Sequence, residues 1–167
     1  MKPPVCPFCQ KPKATLQCGL CQSAVCKYCA QFVEEDRLSY LPKIPKELSH
    51  STYCGPCFDV KIAPQIEAYD VTMAKAKNIN IFYKNESKET RLVDRSEKPL
   101  KVDNCPDREE TILRLAFLAA LANFNSIIDV DLVSTKVRHE AYQTSVWRGQ
   151  CIPAQLSEAK INAKRFN

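Results

Sequence analysis

The residues with evident chemistry are eight cysteines, all within the first sixty positions. They form four Cys-x-x-Cys pairs, Cys6/Cys9, Cys18/Cys21, Cys26/Cys29 and Cys54/Cys57, separated by eight, four and twenty-four residues. Two residues between cysteines make a tight turn whose thiolates reach one ion at about 2.3 Å, which is half of a tetrahedral shell. Four pairs therefore suit two closed four-sulfur zinc sites. A closed shell leaves no position for water, so such zinc is structural rather than catalytic. Structural zinc contributes on the order of 10–16 kcal/mol apparent free energy per site. Disulfides and an iron–sulfur cluster are the rival uses of these sulfurs. Four pairs in register fit a redox disulfide poorly, and softness and spacing favour zinc. Spacing alone leaves open which pairs share an ion.

The elements that must position these sulfurs are sparse. Residues 1–60 hold seven of the eleven prolines as well as the eight cysteines, and a loop-rich segment this small needs a staple to fold. Residues 61–167 have ordinary globular composition and only Cys105 and Cys151, which read as plain buried thiols. His50 and His139 are not required as ligands, although His50 lies near enough to Cys54 in sequence to replace a sulfur. No internal repeat and no low-complexity tract is evident.

Ile62, Ile66, Tyr69, Met73 and Ala76 make a helical stripe, so a helix is expected over about 59–77, with Pro64 tolerated in its first turn. Ile79, Ile81 and Tyr83 alternate with polar or aromatic neighbours as a short strand. Asp107 followed by Glu110 predicts a capped helix from about 108 to 123, apolar nearly all round and so buried against a sheet. Ile128, Val130 and Leu132 alternate, a charged turn Arg138-His139-Glu140 follows, and Tyr142, Thr144 and Val146 alternate again. The sum is strand, helix and hairpin, a small α+β domain. Domain boundaries are set at 1–60, a connecting helix at 61–78, and 79–167.

The centre of the cysteine region, Cys18-Gly19-Leu20-Cys21-Gln22-Ser23-Ala24-Val25-Cys26-Lys27-Tyr28-Cys29, resembles FYVE-type zinc fingers. So does the closing Thr52-Tyr53-Cys54-Gly55-Pro56-Cys57-Phe58 running into a helix, and the likeness covers roughly residues 5–77. It implies a cross-braced FYVE/RING-like fold with Cys6, Cys9, Cys26 and Cys29 on one zinc and Cys18, Cys21, Cys54 and Cys57 on the other. Phosphoinositide-binding FYVE domains also carry WxxD before the first cysteine, a basic R(R/K)HHC into the third and RVC around the seventh. Here Met1–Val5, Ala14-Thr15-Leu16-Gln17 and Thr52-Tyr53 stand in those places, and Lys11 and Lys13 are the only nearby cations. Headgroup recognition needs converging cations, so phosphoinositide recruitment is the alternative rather than the expectation. RING-type modules normally place a histidine in the second pair, which here is Cys18 and Cys21.

Residues 79–153 resemble the YbjQ-like heavy-metal-binding family in a helix that starts at Arg108, an asparagine turn at Asn125 and a hydrophobic strand from Ile127 to Leu132. That family's double-glycine and glycine–alanine turns are absent, and no cysteine or histidine cluster marks a metal site there. The resemblance implies fold alone. Asp129 and Asp131 are expected on one solvated strand face rather than as paired catalytic carboxylates. Trp147-Arg148-Gly149, an aromatic–cation pair on a strand, reads as core, with an interface as the alternative.

The chain has 167 residues, 45% apolar and 26% charged, which excludes wholesale disorder. The longest uncharged run, Leu115 to Ile128, has fourteen residues, and crossing a bilayer takes roughly 20. Met1–Val5 leads into Cys6 without an apolar stretch, so no signal peptide is read, and a reducing, cytoplasmic setting is expected. The formal charge of +5 hints at an anionic partner but counts every cysteine as neutral. Residues 1–60 carry seven Lys plus Arg against five Asp plus Glu, too small a surplus for nucleic acid. The expectation is a non-enzymatic zinc module that binds a protein partner or forms homo-oligomers. An enzyme with a site in 79–167 is the remaining alternative.

Overall fold

The computed structural model describes residues 4–84, 88 and 90–165, apart from the side chains of residues 139 and 163–165. The His139 side chain and the Met1–Pro3 segment therefore lie outside what is described. The chain divides into two compact units, Met1–Asp70 and Val71–Asn167.

In the first unit, β1 (Leu16–Gln17) pairs antiparallel with β2 (Ala24–Val25), and β3 (Ala30–Phe32) with β4 (Thr52–Cys54). Ribbons of two or three residues have no independent stability in water. The buried apolar side chains here are scattered and mostly modest: Ala14, Val25, Ala30, Val33, Leu38, Leu48, Tyr53, Ile62 and Tyr69. Cys6, Cys18, Cys26 and Cys54 are buried among them. The hydroxyl of the buried Tyr53 donates to the Glu47 carbonyl at 2.8 Å and accepts from the His50 amide at 3.2 Å, which ties the 47–53 segment into one turn.

The helix opens earlier than residue 59. Cys54 has extended backbone and caps α1 (Gly55–Cys57), with Pro56 in the first turn, where its missing amide costs nothing. A π turn over Phe58–Ile62 carries it into α2 (Ala63–Lys77). Ile62, Tyr69 and Ala76 of the expected stripe are buried, and Ile66 and Met73 are half-buried.

The second unit is a four-stranded sheet of β5 (Asn80–Tyr83), β6 (Leu100–Cys105), β7 (Ser126–His139) and β8 (Tyr142–Ala154), ordered β5-β7-β8-β6. β5 runs parallel to β7, and β8 is antiparallel to both β7 and β6. Helix α3 (Arg108–Leu121) connects β6 to β7 and packs on β6, β7 and β8. Asp107 caps it through a 2.7 Å bond from the Glu110 amide, but the Glu110 carboxylate pairs forward with Arg114 instead of closing the box. Asn123, at φ 63°, supplies the left-handed residue that ends the helix. The Asn125 side chain then holds both backbone groups of Leu156 at 2.8 and 2.9 Å.

Ile127 and Ile128 are both fully buried, so this end of the sheet is covered on both faces. On the face away from α3, Phe82, Ile128, Ala154 and Leu156 cluster with Val93, Ile152 and Ile161, the last from α4 (Glu158–Arg165). Strand β6 and helix α4 were not foreseen. Leu100 and Val102 give β6 only two alternating apolar positions before Asn104 turns to φ 57°.

Cys151 lies on β8 and is 1% exposed, and burial pushes its thiol up to about 12. An acid whose folded value is raised stabilises fully below its unfolded value of 9.0 and loses that contribution as pH rises toward 12. The second unit should therefore weaken above pH 9 through this thiol by up to about 4 kcal/mol. Comparing denaturant midpoints of the wild type and Cys151→Ala between those pH values checks this; equal slopes would remove Cys151 as the cause.

Candidate metal centres

The eight cysteines form two groups, Cys6, Cys9, Cys26 and Cys29, and Cys18, Cys21, Cys54 and Cys57, in each of which all sulfurs lie within 4.8 Å of one another. The first pair thus meets the third, and the second meets the fourth. The Cys9 and Cys26 sulfurs are 3.6 Å apart and those of Cys21 and Cys54 3.7 Å. A disulfide needs about 2.05 Å. A tetrahedral ion with bonds of about 2.3 Å holds its sulfurs about 3.8 Å apart. The cysteines are accordingly free thiols spaced to hold a metal ion.

The first and second pairs are built alike, one displaced by twelve residues from the other. The Cys6 amide donates to Lys11 O and the Cys18 amide to Ser23 O, both at 3.0 Å. The amides of Gln10 and Gln22 return to the carbonyls of Cys6 and Cys18 at 2.9 and 3.0 Å. Each turn is flanked by an equivalent bridge, Val5↔Pro12 and Gln17↔Ala24. Gln10 and Gln22 stand at φ 60° and 63°, and their side-chain amides donate to the carbonyls of Pro7 and Gly19. Contrary to the expectation of no internal repeat, the chain carries this one, visible in sequence only as Cys-x-x-Cys-Gln written twice.

The third and fourth pairs instead begin helical turns. Cys29 and Ala30 both donate to the Cys26 carbonyl at 3.0 Å, and Cys54 opens α1. Each cluster therefore combines one knuckle with one helical turn. The β1–β2 ladder runs from the knuckle of one site into Cys26 of the other, and the β3–β4 ladder pairs Ala30 with Cys54.

Electrostatics follows the same duplication. Burial disfavours the Cys6 thiolate, but backbone hydrogen bonds from Cys26, Phe8 and Cys9 outweigh it and lower the thiol to about 6. At Cys18, burial is outweighed by the backbone of Cys21, Cys54 and Leu20, again to about 6. Cys29 is pushed up to about 12, first by the Cys9 and Cys26 sulfurs, and Cys57 to about 12, first by burial. Cys26 and Cys21 are lowered as well, so hydrogen bonds aimed at sulfur favour two thiolates per cluster, while neighbouring sulfurs and burial resist the last. A bound cation relieves that repulsion.

His50 belongs to neither cluster. Its ring stands over Gly19, where an added Cβ would come within 2.3 Å of His50 Cγ. Lys11 and Lys13 are exposed, and Cys105 and Cys151 are buried far along the chain on β6 and β8.

Asp129 and Asp131 do not share a strand face. The β7–β8 register shifts between Ile128 and Asp131, and Asp129 sits at φ 51°, a bulge that reverses the alternation. Arg95 grips Asp129 at 2.6 and 3.3 Å, and Lys84 approaches Asp131 at 4.0 Å. Trp147 is half-buried and Gly149 buried, while Arg148 is exposed, so only part of that triplet is core.

A depression in the second unit, about 600 Å³, is lined by Val71, Ala74, Ile79, Ala120 and Phe124 with asparagine amides between them. No carboxylate, histidine or cysteine lines it. No described helix is long and apolar enough to cross a membrane. No protein-family model, curated protein or solved structure matches the chain.

Proposed function

We propose that the chain is a non-enzymatic interaction protein whose first unit is a FYVE-type, cross-braced module holding two structural zinc ions. The observation that carries this is the interleaving of four Cys-x-x-Cys pairs into two groups with sulfur edges of 3.6 and 3.7 Å. Four thiolates in a tetrahedron suit zinc. A closed shell would fix the backbone and offer no place for a reacting water.

The rigid turns would then display side chains to a protein partner. Phe8 and Tyr28 occupy the third position of the two turns of the first site, yet are 43% and 79% exposed. Lys27 stands 5.0 Å from the Tyr28 ring centre. Exposed aromatics beside a cation on a fixed frame are the composition of protein interfaces. Eight thiolates and two dications bring the formal +5 down to about +1, which weakens the case for an anionic partner.

Native mass spectrometry with elemental analysis tests the metal, and sedimentation with vesicles containing phosphatidylinositol 3-phosphate tests the lipid alternative. Two zinc ions per chain and no pelleting are expected. Iron, a single ion, or lipid-dependent pelleting lost in Lys11→Ala/Lys13→Ala would replace this function with another.

A further inference from the structure

The hairpin β7–β8 is longer than the sheet it belongs to. β5 accompanies β7 only to Val130, and β6 accompanies β8 only from Cys151 to Trp147. The β7–β8 ladder continues without a register shift from Asp131↔Gln150 to His139↔Tyr142. Among the described residues nothing pairs with either edge from Thr135 to Val146, which makes this stretch a two-stranded arm. Its two faces differ sharply. Val133, Thr135, Val137, Tyr142, Thr144, Val146 and Arg148 share one face, and Ser134, Lys136, Arg138, Gln143, Ser145 and Trp147 share the other. Apart from Arg148 the first set is β-branched or aromatic, with Val133 40% and Tyr142 79% exposed. A lone ribbon is marginal in water, and an open β-branched strip invites pairing.

We propose that this arm is a dimerisation element, in which two copies of the chain pack strip against strip, antiparallel, about a two-fold axis. Three features select a second copy. Between Thr135 and Val146 the strip carries β-branched side chains, with its one described cation, Arg148, at the inner end, so this packing turns Lys136 and Arg138 of both copies outward. The same sheet face is capped at Ser126–Ile128 by Val93, Leu156 and Ile161, so only a reversed overlay keeps the two bodies apart. A two-fold through the Lys136↔Ser145 rung, the middle of the strip, carries the Glu140 tip to the partner's rungs at Asp131 and Val133. There Lys84, Lys101 and Arg148 face Asp131 and Asp103, a local cationic surplus that suits Glu140. Nothing in this pairing depends on the zinc sites.

At about 3.3 Å per residue the overlap is about 30 Å long and two strands wide, a footprint well under the ~800 Å² per partner of a stable complex. The dimer is therefore weak, with dissociation in roughly the 10–100 μM range. Sedimentation equilibrium of the full, metal-loaded chain up to about 1 mM should show the 18.9 kDa monomer giving way to dimer. Val137→Lys, which sets a charge against the partner's Thr135↔Val146 rung beside the axis, should weaken association at least about tenfold. Lys136→Ser on the other face should leave it unchanged, and the near-ultraviolet signal of Trp147 confirms that each variant is folded. Glu140→Lys should weaken the dimer, and adding Arg148→Glu should restore it. A chain that stays monomeric at 1 mM, or a dimer indifferent to Val137→Lys or to Glu140→Lys, overturns the proposal.

Discussion

Replacing Cys54 by alanine takes the metal content below two ions per chain and unfolds Met1–Asp70, while Val71–Asn167 keeps its own cooperative transition. Its sulfur belongs to the second cluster, and its backbone stands where the β3–β4 ladder, opposite Ala30, runs into the N-terminus of α1, so the ion is held where three elements meet. Loss of its sulfur leaves three thiolates and an open position. A structural zinc contributes on the order of 10–16 kcal/mol, as much as the whole stability of a typical domain, about 5–15 kcal/mol. The first unit has no large apolar core to fall back on. The second does, with Phe82, Leu115, Phe117, Ile127 and Ile128 all but completely buried. A strong chelator should reproduce the result, and Cys105→Ala should leave metal content unchanged. Amide hydrogen exchange resolved by segment, together with metal analysis, checks this. Two ions retained by the Cys54 variant, or protection of residues 4–60 surviving chelation, would refute it.

Four cysteine pairs announce a metal because thiolates at this spacing have few other uses in a small segment. Their grouping is a different matter. It depends on which strands pair, and only the resemblance to an interleaved family pointed to it. The glutamines after Cys9 and Cys21 went unnoticed because a left-handed φ at a glutamine has no compositional signature; asparagine or glycine would have been conspicuous there. Asp129 defeated a period-two reading for a related reason. One left-handed residue at a bulge leaves the hydrophobic pattern intact on both sides yet moves Asp131 to the opposite face. The arm shows the complementary failure. Alternation at Tyr142, Thr144 and Val146 was legible, but alternation reads as half-burial, and nothing in a strand's own residues says whether a neighbour covers it.

Gly19→Ala should selectively disable the second site. Gly19 lies between Cys18 and Cys21, and its amide donates to the Thr52 carbonyl at 2.9 Å, binding the knuckle to β4. A Cβ there would lie 2.4 Å from His50 Cβ and 2.3 Å from His50 Cγ. Rotation about χ1 can move Cγ, but Cβ is fixed to the backbone, so relief requires the chain at His50 to shift and pull on Thr52. Gly149 offers a useful contrast. A Cβ there meets Leu132 Cδ2, Thr111 Cγ2 and Leu115 Cδ1 at 2.8–3.0 Å, side-chain methyls of which the leucine ends can yield. Overpacking costs typically about 1–3 kcal/mol, and the Gly19 variant belongs at the upper end. That predicts roughly a hundredfold loss of affinity at the second site, about 2.7 kcal/mol, with the first site unchanged. His50→Gly removes both clashing carbons, so it should restore affinity in the Gly19→Ala background and leave two ions bound by itself. Competition titration with a chromophoric chelator, read as two separate sites, measures all three variants. If His50→Gly alone loses an ion, His50 is a ligand rather than a neighbour; if it fails to rescue Gly19→Ala, the contact is not what the glycine protects.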